Sequence, residues 1–463
     1  MQKISTESDS CQGKNRTASD GYLGVQTFIG ITENNLTEVR FTEGGLLEQI
    51  LSPSNMNKAY KRVVSNKGSG GIDGMDTTDL LAWLHGHKGE LLHAIGTGKY
   101  KPNPVRRVEI PKDGGKKRLL GIPTVVDRFV QQCISQILSP IYEREFSETS
   151  YGFRPKRSCH DALEQARTYI TSGYRYAVDL DLEKFFDTVS HSRLIALLSK
   201  RIKDGRVVSL IHRYLLAGVQ IGERFEESRS GVPQGGPLSP LLSNIMLNEL
   251  DRELEARGHP FVRYADDCLI FCKSKRAAER TKAGIIRYIE GILYLRVNKE
   301  KTHVGHVRGM KFLGYGFYIK SGECRLSVHR KSYGKLKARL KELTSRSNGM
   351  GYEKRKIALR LFINGWLEYF KLADMKNRLQ RIDEWYRRRL RMCIWKCWKK
   401  VKTRFKNLLT CGIGKQKAWE WANTRKGYWR IADSAILHRA LNNDTLRLAK
   451  YPFLRDCYRR IVS

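Results

Sequence analysis

Apolar and polar positions along the chain fall into two rhythms, and the places where the rhythm changes mark the elements. From Leu46, L-L-E-Q-I-L and then M-N-K-A-Y-K-R-V-V repeat apolar residues at helical spacing, which predicts helices with one buried face. Val105 to Ile110 alternates as a strand, and P-K-D-G-G-K-K-R behind it reads as a hairpin turn. Helical spacing returns over Asp127 to Leu138, with Phe129, Val130, Cys133, Ile134, Ile137 and Leu138 on one side. A strand starts at Tyr176, Y-A-V-D-L-D-L, where alternation sends Asp179 and Asp181 to the same face. A glycine-rich loop, G-V-P-Q-G-G-P-L-S-P, opens at Gly231 and leads into a helix over Leu241 to Leu250. From Phe261 to Cys272, F-V-R-Y-A-D-D-C-L-I-F-C sets two short apolar runs around Asp266-Asp267, which predicts a hairpin turning on those two acids. Near the C-terminus Ile382, Tyr386, Leu390, Cys393, Ile394 and Cys397 keep one helix face for a core. Residues 1–42 have no sustained period, are rich in Ser, Thr, Asn and Gly, and read as a mobile leader.

Composition adds scale and a partner. At 463 residues the chain predicts two or three domains. Eighty-five Lys plus Arg stand against 47 Asp plus Glu, a formal charge of +38, which implies a polyanionic partner. Nucleic acid is the first reading and an anionic membrane surface the second. The charge is uneven: residues 331–463 hold 35 Lys plus Arg and 10 Asp plus Glu, and seven of the eight tryptophans. Most tryptophans in such a stretch anchor a core, and a minority stack on bases. Arg387, Arg388, Arg391 and Lys399 lie off the apolar face and are read as free for RNA phosphates. No run approaches the roughly 18 apolar residues of a membrane span, and the N-terminus lacks a charged-then-apolar signal, so the expected location is the cytoplasm, with no membrane partner. Ten cysteines occur without a C-x-x-C pair. Cys393 and Cys397 share a helix face, but zinc would need Cys411 and His438 as further ligands, so packed thiols are the favoured reading.

The chemistry centres on Asp266 and Asp267. Adjacent carboxylates repel, so keeping both ionised at a tight turn is costly without a cation. Hard oxygen donors suit Mg²⁺, which takes one or two carboxylates and leaves other positions to water and phosphates. An isolated A-D-D is more often a solvated turn, so the rest of the chain has to decide. The Gly68 to Gly74 connector lacks the G-x-x-x-x-G-K-S/T phosphate loop, which argues against an NTPase of that class. Lys112, Lys116, Lys117 and Arg118 at the predicted hairpin tip read either as solvated decoration or as a grip on a triphosphate.

In order, D-L-E-K-F-F, P-Q-G, Y-A-D-D and K-F-L-G resemble the polymerase core of reverse transcriptases. The resemblance implies an α+β right-hand polymerase, fingers and palm with antiparallel sheet, followed by an α-helical thumb or maturase domain and a short basic C-terminal segment. It places the N-terminal extension and fingers at 43–160, the palm at 161–325, the thumb at 326–400 and a DNA-binding segment at 401–463. The metal-binding acids then fall on Asp181, Asp266 and Asp267, with Asp181 preferred to Asp179 because Phe186 lies five residues beyond it. They would hold two Mg²⁺, or Mn²⁺ in their place, about 3.5 to 4 Å apart. Phe186 would exclude a 2′-hydroxyl and so select deoxynucleotides. Lys112, Arg118 and Gln234 are implied for dNTP binding, and Phe312, Leu313, Gly314 and Tyr315 for gripping the primer. Lys299 or Lys301 would protonate the leaving pyrophosphate.

The flanks narrow the resemblance further. E-I-P-K-D-G-G-K-K-R-L-L-G-I-P-T, S-Y-G-F-R-P-K-R-S and F-I-N-G-W-L-E-Y-F look like the enzymes encoded by bacterial group II introns. The implied partners are intron RNA, an RNA template with a DNA primer, dNTPs and target DNA. Residues after the maturase helices hold no cysteine pair, so a short basic DNA-binding appendage is expected rather than an H-N-H nuclease. Two other readings are an RNA-folding cofactor with reduced polymerase activity and a defence or CRISPR-associated relative.

Overall fold

The computed structural model describes residues 45–111 and 117–462. The chain forms two compact units that alternate along the sequence. The first runs to Glu148 and adds Leu182–Ala256 and Ile286–Asn298; the second is Thr149–Asp181, Arg257–Ile285 and Lys299 onward. The expected leader and Lys112 lie outside the described residues.

Eleven strands occur among the described residues, numbered in chain order. They are β1 (Val105–Pro111), β2 (Lys117–Ile122), β3 (Tyr176–Leu180), β4 (Val219–Ile221), β5 (Arg224–Glu226) and β6 (Phe261–Tyr264). The remainder are β7 (Asp267–Cys272), β8 (His303–His306), β9 (Lys311–Phe312), β10 (Tyr315–Lys320) and β11 (Glu323–Val328).

In the first unit the sheet order is β2-β1-β4-β5. β1 and β2 pair antiparallel from Arg106↔Ile122 to Pro111↔Lys117, so the predicted hairpin forms. The helix predicted from Asp127 runs Val125–Glu143, because Thr124 caps it by accepting the Asp127 N–H. Phe129, Val130, Cys133, Ile134 and Leu138 are buried as their spacing requires. Asp127, 1% exposed, is met by the Tyr100 hydroxyl at 2.7 Å and the Asn103 N–H at 3.1 Å. A buried carboxylate without such donors would cost several kcal/mol. The helix after the glycine loop is Ser239–Ala256, longer at both ends than its apolar core predicts.

The second unit holds the sheet β6-β7-β3-β8 and the sheet β11-β10-β9. Helix Cys159–Thr171 opens with a capping box between Ser158 and Asp161. Its Ala162, Leu163, Ala166 and Ile170 share a core with Ala177, Val262, Leu269 and Phe271. Helices Arg330–Leu343, Tyr352–Tyr369 and Lys376–Cys397 continue that core with Leu336, Leu340, Leu359, Ile363, Tyr386 and Leu390. Asp383 ties the last of them to helix Leu454–Val462, accepting the N–H groups of Leu454 and Arg455 at 2.9 Å each. Of the predicted core face, Cys397 alone is exposed, since it is the final residue of its helix.

Candidate active site

The pair of acids lies on the β6–β7 hairpin, with one correction to the sequence reading. Tyr264 pairs with Asp267, so the two-residue loop is Ala265-Asp266 and Asp267 is the first residue of β7. Ala265 has φ +58° and Asp266 does not share it, the pattern of a II′ turn in which glycine is the usual first residue. The loop is held from behind. Arg263, 1% exposed, donates through Nη1 to the Ala265 carbonyl at 3.0 Å. The Arg263 N–H donates to Thr149 O at 3.0 Å, and its carbonyl accepts from Tyr151 N at 2.9 Å, so residues 149–151 run beside β6. Gly152 then passes so close that a Cβ there would stand 2.2 Å from Ala265 N.

Strand pairing brings the early acids to the late ones. β3 and β7 are antiparallel, with Ala177↔Phe271 and Asp179↔Leu269. One step past the last rung, Leu180↔Cys268, the register sets position 181 opposite 267. Directly opposed residues have Cβ atoms about 4.5–5.5 Å apart. One face of the sheet therefore changes over three same-side rungs, from Ala177 and Phe271 in the core to Asp179 and Leu269, then to Asp181 and Asp267. Asp267 is exposed as a residue, yet its carboxyl is crowded by protein. Burial, then the charges of Asp266, Asp179 and Asp181, push its pKa up to about 6, with Lys311 opposing. Burial also raises Asp179, against His303, whose Nδ1 lies 4.0 Å from its carboxylate.

Asp181 is anchored by Thr302, which sequence reasoning passed over, and by Lys301, which it expected at the pyrophosphate. Thr302, 2% exposed, accepts the Asp181 N–H at 3.1 Å and donates to its carbonyl at 3.3 Å. Lys301 places Nζ 3.1 Å from both carboxylate oxygens. Among the described residues, no three His, Cys, Asp or Glu side chains stand in a ready ligand arrangement. The donor set nevertheless fits a hard cation: three carboxylates at one strand end, one of them resisting ionisation and another already holding an ammonium. Lys299 is exposed, and the ammonium seen on Asp181 belongs to Lys301.

In the first unit, Arg118 Nε donates to Gln234 Oε1 at 2.9 Å, joining two residues expected at the nucleotide. The loop is pinned to β2 by Gly121 N donating to Gln234 O at 2.8 Å. Gly235 has φ +133°, and a Cβ there would meet the Gly121 carbonyl at 2.6 Å, which explains the first of the paired glycines; at Gly236 a Cβ would stand 2.2 Å from Gln131 Oε1. Phe186 sits on the short helix Phe185–Thr188, 8% exposed, its ring 5.2 Å from that of Phe185. Its carbonyl accepts the Val232 N–H at 2.6 Å, so Phe186 and the glycine loop are one packed piece.

The residues expected at the primer form the β9–β10 hairpin. Leu313 (φ +47°) and Gly314 (φ +82°) are the loop of a I′ turn. Phe312 and Tyr315 are buried beneath it, and the Tyr315 hydroxyl donates to the Tyr369 carbonyl. Of the four expected RNA contacts, two are not free. Arg391 is 5% exposed and donates through Nε to Leu441 O at 2.9 Å. Arg388 pairs with Asp433 at 2.9 Å and donates to Trp429 O at 3.1 Å. Segments after residue 427 cover that side of the helix, which apolar spacing within the helix does not reveal. Arg387 lies 5.7 Å over the Phe453 ring, and Lys399 is exposed.

Carboxylates gathered at a strand end beside a tight hairpin suit phosphoryl transfer on divalent metal. Comparison identifies the kind of enzyme. A family described as Reverse transcriptase (RNA-dependent DNA polymerase) matches residues 110–317, and one described as Group II intron, maturase-specific domain matches residues 334–412. Protein YkfC of Escherichia coli (strain K12) is 35% identical over 334 residues, 63% of this chain and 85% of its own length. Group II intron-encoded protein LtrA of Lactococcus lactis subsp. cremoris is 32% identical over 378 residues, 66% of this chain and 61% of LtrA. A chain of a Cas6-RT-Cas1–Cas2 complex superposes with a TM-score of 0.36 at 26% identity, over 56% of this chain and 44% of that one, too loosely to bear on function. The chain belongs to the group II intron reverse transcriptase and maturase family, and its enzyme class is RNA-directed DNA polymerase. No described helix is long and apolar enough to cross a membrane.

Proposed function

We propose that the chain extends a DNA primer with dNTPs on an RNA template through Asp181, Asp266 and Asp267, and that it binds its intron RNA to assist splicing and mobility at a DNA target. The observation that supports this reading is the β3–β7 register, whose last paired rung, Leu180↔Cys268, lies one residue short of Asp181 and Asp267. Two Mg²⁺ ions, when bound, would lower the cost of ionising the primer 3′-hydroxyl and of releasing pyrophosphate. The chain's own residues supply the rest. Asp181, held by Thr302 through its backbone, and Asp267, at the start of β7, present fixed oxygens rather than mobile ones. Lys301 holds Asp181 by both carboxylate oxygens, so a cation bound there would compete with its ammonium. Arg118 and Gln234 take the triphosphate side of the nucleotide, with Lys112 and Lys299 joining them. Phe186, fixed by its packing, bars the 2′-hydroxyl. Leu313 and Gly314 support the primer end, and helices 330–397 act as the thumb. The excess of cations in residues 331–463 provides affinity for RNA. The site of action is the bacterial cytoplasm.

The test is primer extension on poly(rA) with oligo(dT). The double variant Asp266→Ala/Asp267→Ala loses Mg²⁺-dependent cDNA synthesis, while its affinity for intron RNA stays within a few-fold of the parent. Retained synthesis by that folded double variant overturns the assignment.

A further inference from the structure

We infer that the second unit carries a nucleic-acid site separate from the carboxylate rung, a hollow of about 800 Å³ that takes a single strand with one or two bases turned inward. Its walls are β10–β11, helix Arg330–Leu343, residues 374–378 and helix Leu454–Val462. Lys320, Arg325, Lys376, Arg378 and Arg459 bring five exposed cations to it from four elements. One carboxylate faces them, Asp374, and it is engaged already: the Tyr318 hydroxyl donates to it, and Arg325 lies 3.8 Å away.

Surface cations are ordinarily solvated or paired, as Lys371 is with Glu368 and Arg447 with Asp456. Here the side chains of Lys320, Lys376 and Arg459 have no ion-pair or hydrogen-bond partner among the described residues. Like charges gathered around a hollow raise the local potential and call for a polyanion. Tyr318, Tyr333 and Tyr458 also line the hollow, and the Arg378 guanidinium is held 4.6 Å over the Tyr333 ring. That gives a flat charged surface of the kind on which bases stack.

The size selects the form of the ligand. Hollows of roughly 300–1,000 Å³ enclose small ligands of about a nucleotide or two. A duplex keeps its bases stacked on its own axis and would offer this hollow only its backbone, whereas a single strand can turn bases into it. None of these residues belongs to the carboxylate rung or to the Arg118, Gln234 and Phe186 cluster, so the inference is independent of the catalytic assignment; it rests on the RNA-binding reading of residues 331–463 and deepens it.

The full chain and its Lys320→Glu/Arg378→Glu variant are titrated by fluorescence anisotropy. The probes are a short single-stranded RNA, the same sequence as single-stranded DNA, and a perfectly paired RNA duplex. The variant weakens single-strand binding about tenfold and reduces the salt slope by roughly 0.7 per lost phosphate contact. Duplex binding, which loses backbone contacts alone, weakens by no more than about threefold. A loss confined to RNA identifies RNA as the ligand, and equal losses identify the phosphate-and-base chemistry shared with DNA; either supports the site. Lys58→Glu/Lys61→Glu, an equal charge change on helix Pro53–Ser65, serves as the control. Equal weakening by the control, or a duplex loss matching the single-strand loss, overturns the inference. Should the pocket variant fail to fold, the unaltered protein is photo-crosslinked to single-stranded RNA carrying 4-thiouridine. Crosslinks within 318–325, 374–378 or 458–462 support the site, and their absence from all three overturns it.

Discussion

Gly152→Ala is the most exacting test of how the acids are held. An added Cβ would lie 2.2 Å from Ala265 N and 2.9 Å from Ala265 Cα, where ordinary contact begins near about 3.5 Å. Something must move by roughly 1 Å, and neither side is a flexible side chain. Residues 149–151 are bound to Arg263 in both directions, and Arg263 in turn holds the Ala265 carbonyl. The displacement is therefore passed to the loop, whose next residue is Asp266. Overpacking of this kind costs about 1–3 kcal/mol. At roughly 2–4 °C per kcal/mol for a unit of this size, the melting temperature falls by about 2–12 °C. Misplacing a reacting group by about 1 Å costs on the order of 100-fold in rate. Single-turnover primer extension at saturating dNTP, run well below the variant's melting point, reads that rate directly. Calorimetry and RNA titration accompany it. We expect a loss near 100-fold with RNA affinity unchanged; a folded variant polymerising within about twofold of the parent would refute the reasoning.

The remaining predictions concern charge and burial. Asp267, with a folded pKa of about 6 against 3.8 in the open chain, binds its proton more tightly when folded. Its contribution to stability is complete below about pH 4 and is lost as pH rises through about 6. Asp267→Asn, neutral throughout, should melt above the parent at pH 8 without divalent ions. That gain should vanish below about pH 4 and shrink when Mg²⁺ is added; identical melting at pH 8 would mean the carboxylate is not repelled. Arg391→Ala leaves the Leu441 carbonyl without its donor and should cost about 1–3 kcal/mol, seen as a lower melting temperature. Lys399→Ala, at an exposed position, should leave melting unchanged and weaken RNA binding only slightly, with a shallower salt slope. Equal thermal losses in the two variants would contradict the division between them.

Much of the site is legible in the chain because its signals are local. Alternation in Y-A-V-D-L-D-L sends Asp179 and Asp181 to one face, and two apolar runs around A-D-D make a hairpin, whatever else the protein does. Helical spacing from Asp127 to Leu138 and from Ile382 to Ile394 marks buried faces for the same reason. The hairpin loop was displaced by one residue because Ala265 adopts a left-handed conformation that alanine does not advertise, stabilised by a buried arginine two positions earlier. Other features are decided by residues far apart. Lys301 and Thr302 reach Asp181 from 120 and 121 positions away, Arg118 meets Gln234 across 116, and Gly152 meets a turn that only folding brings beside it. Arg388 and Arg391 show the limit most clearly: their chemistry suits phosphate, but segments beyond residue 427 occupy them first. Period and turn chemistry are properties of neighbouring residues, so the sequence alone carries them. Exposure, register between distant strands and the partner of each charge depend on which surfaces pack together, and that is settled only when the whole chain has folded.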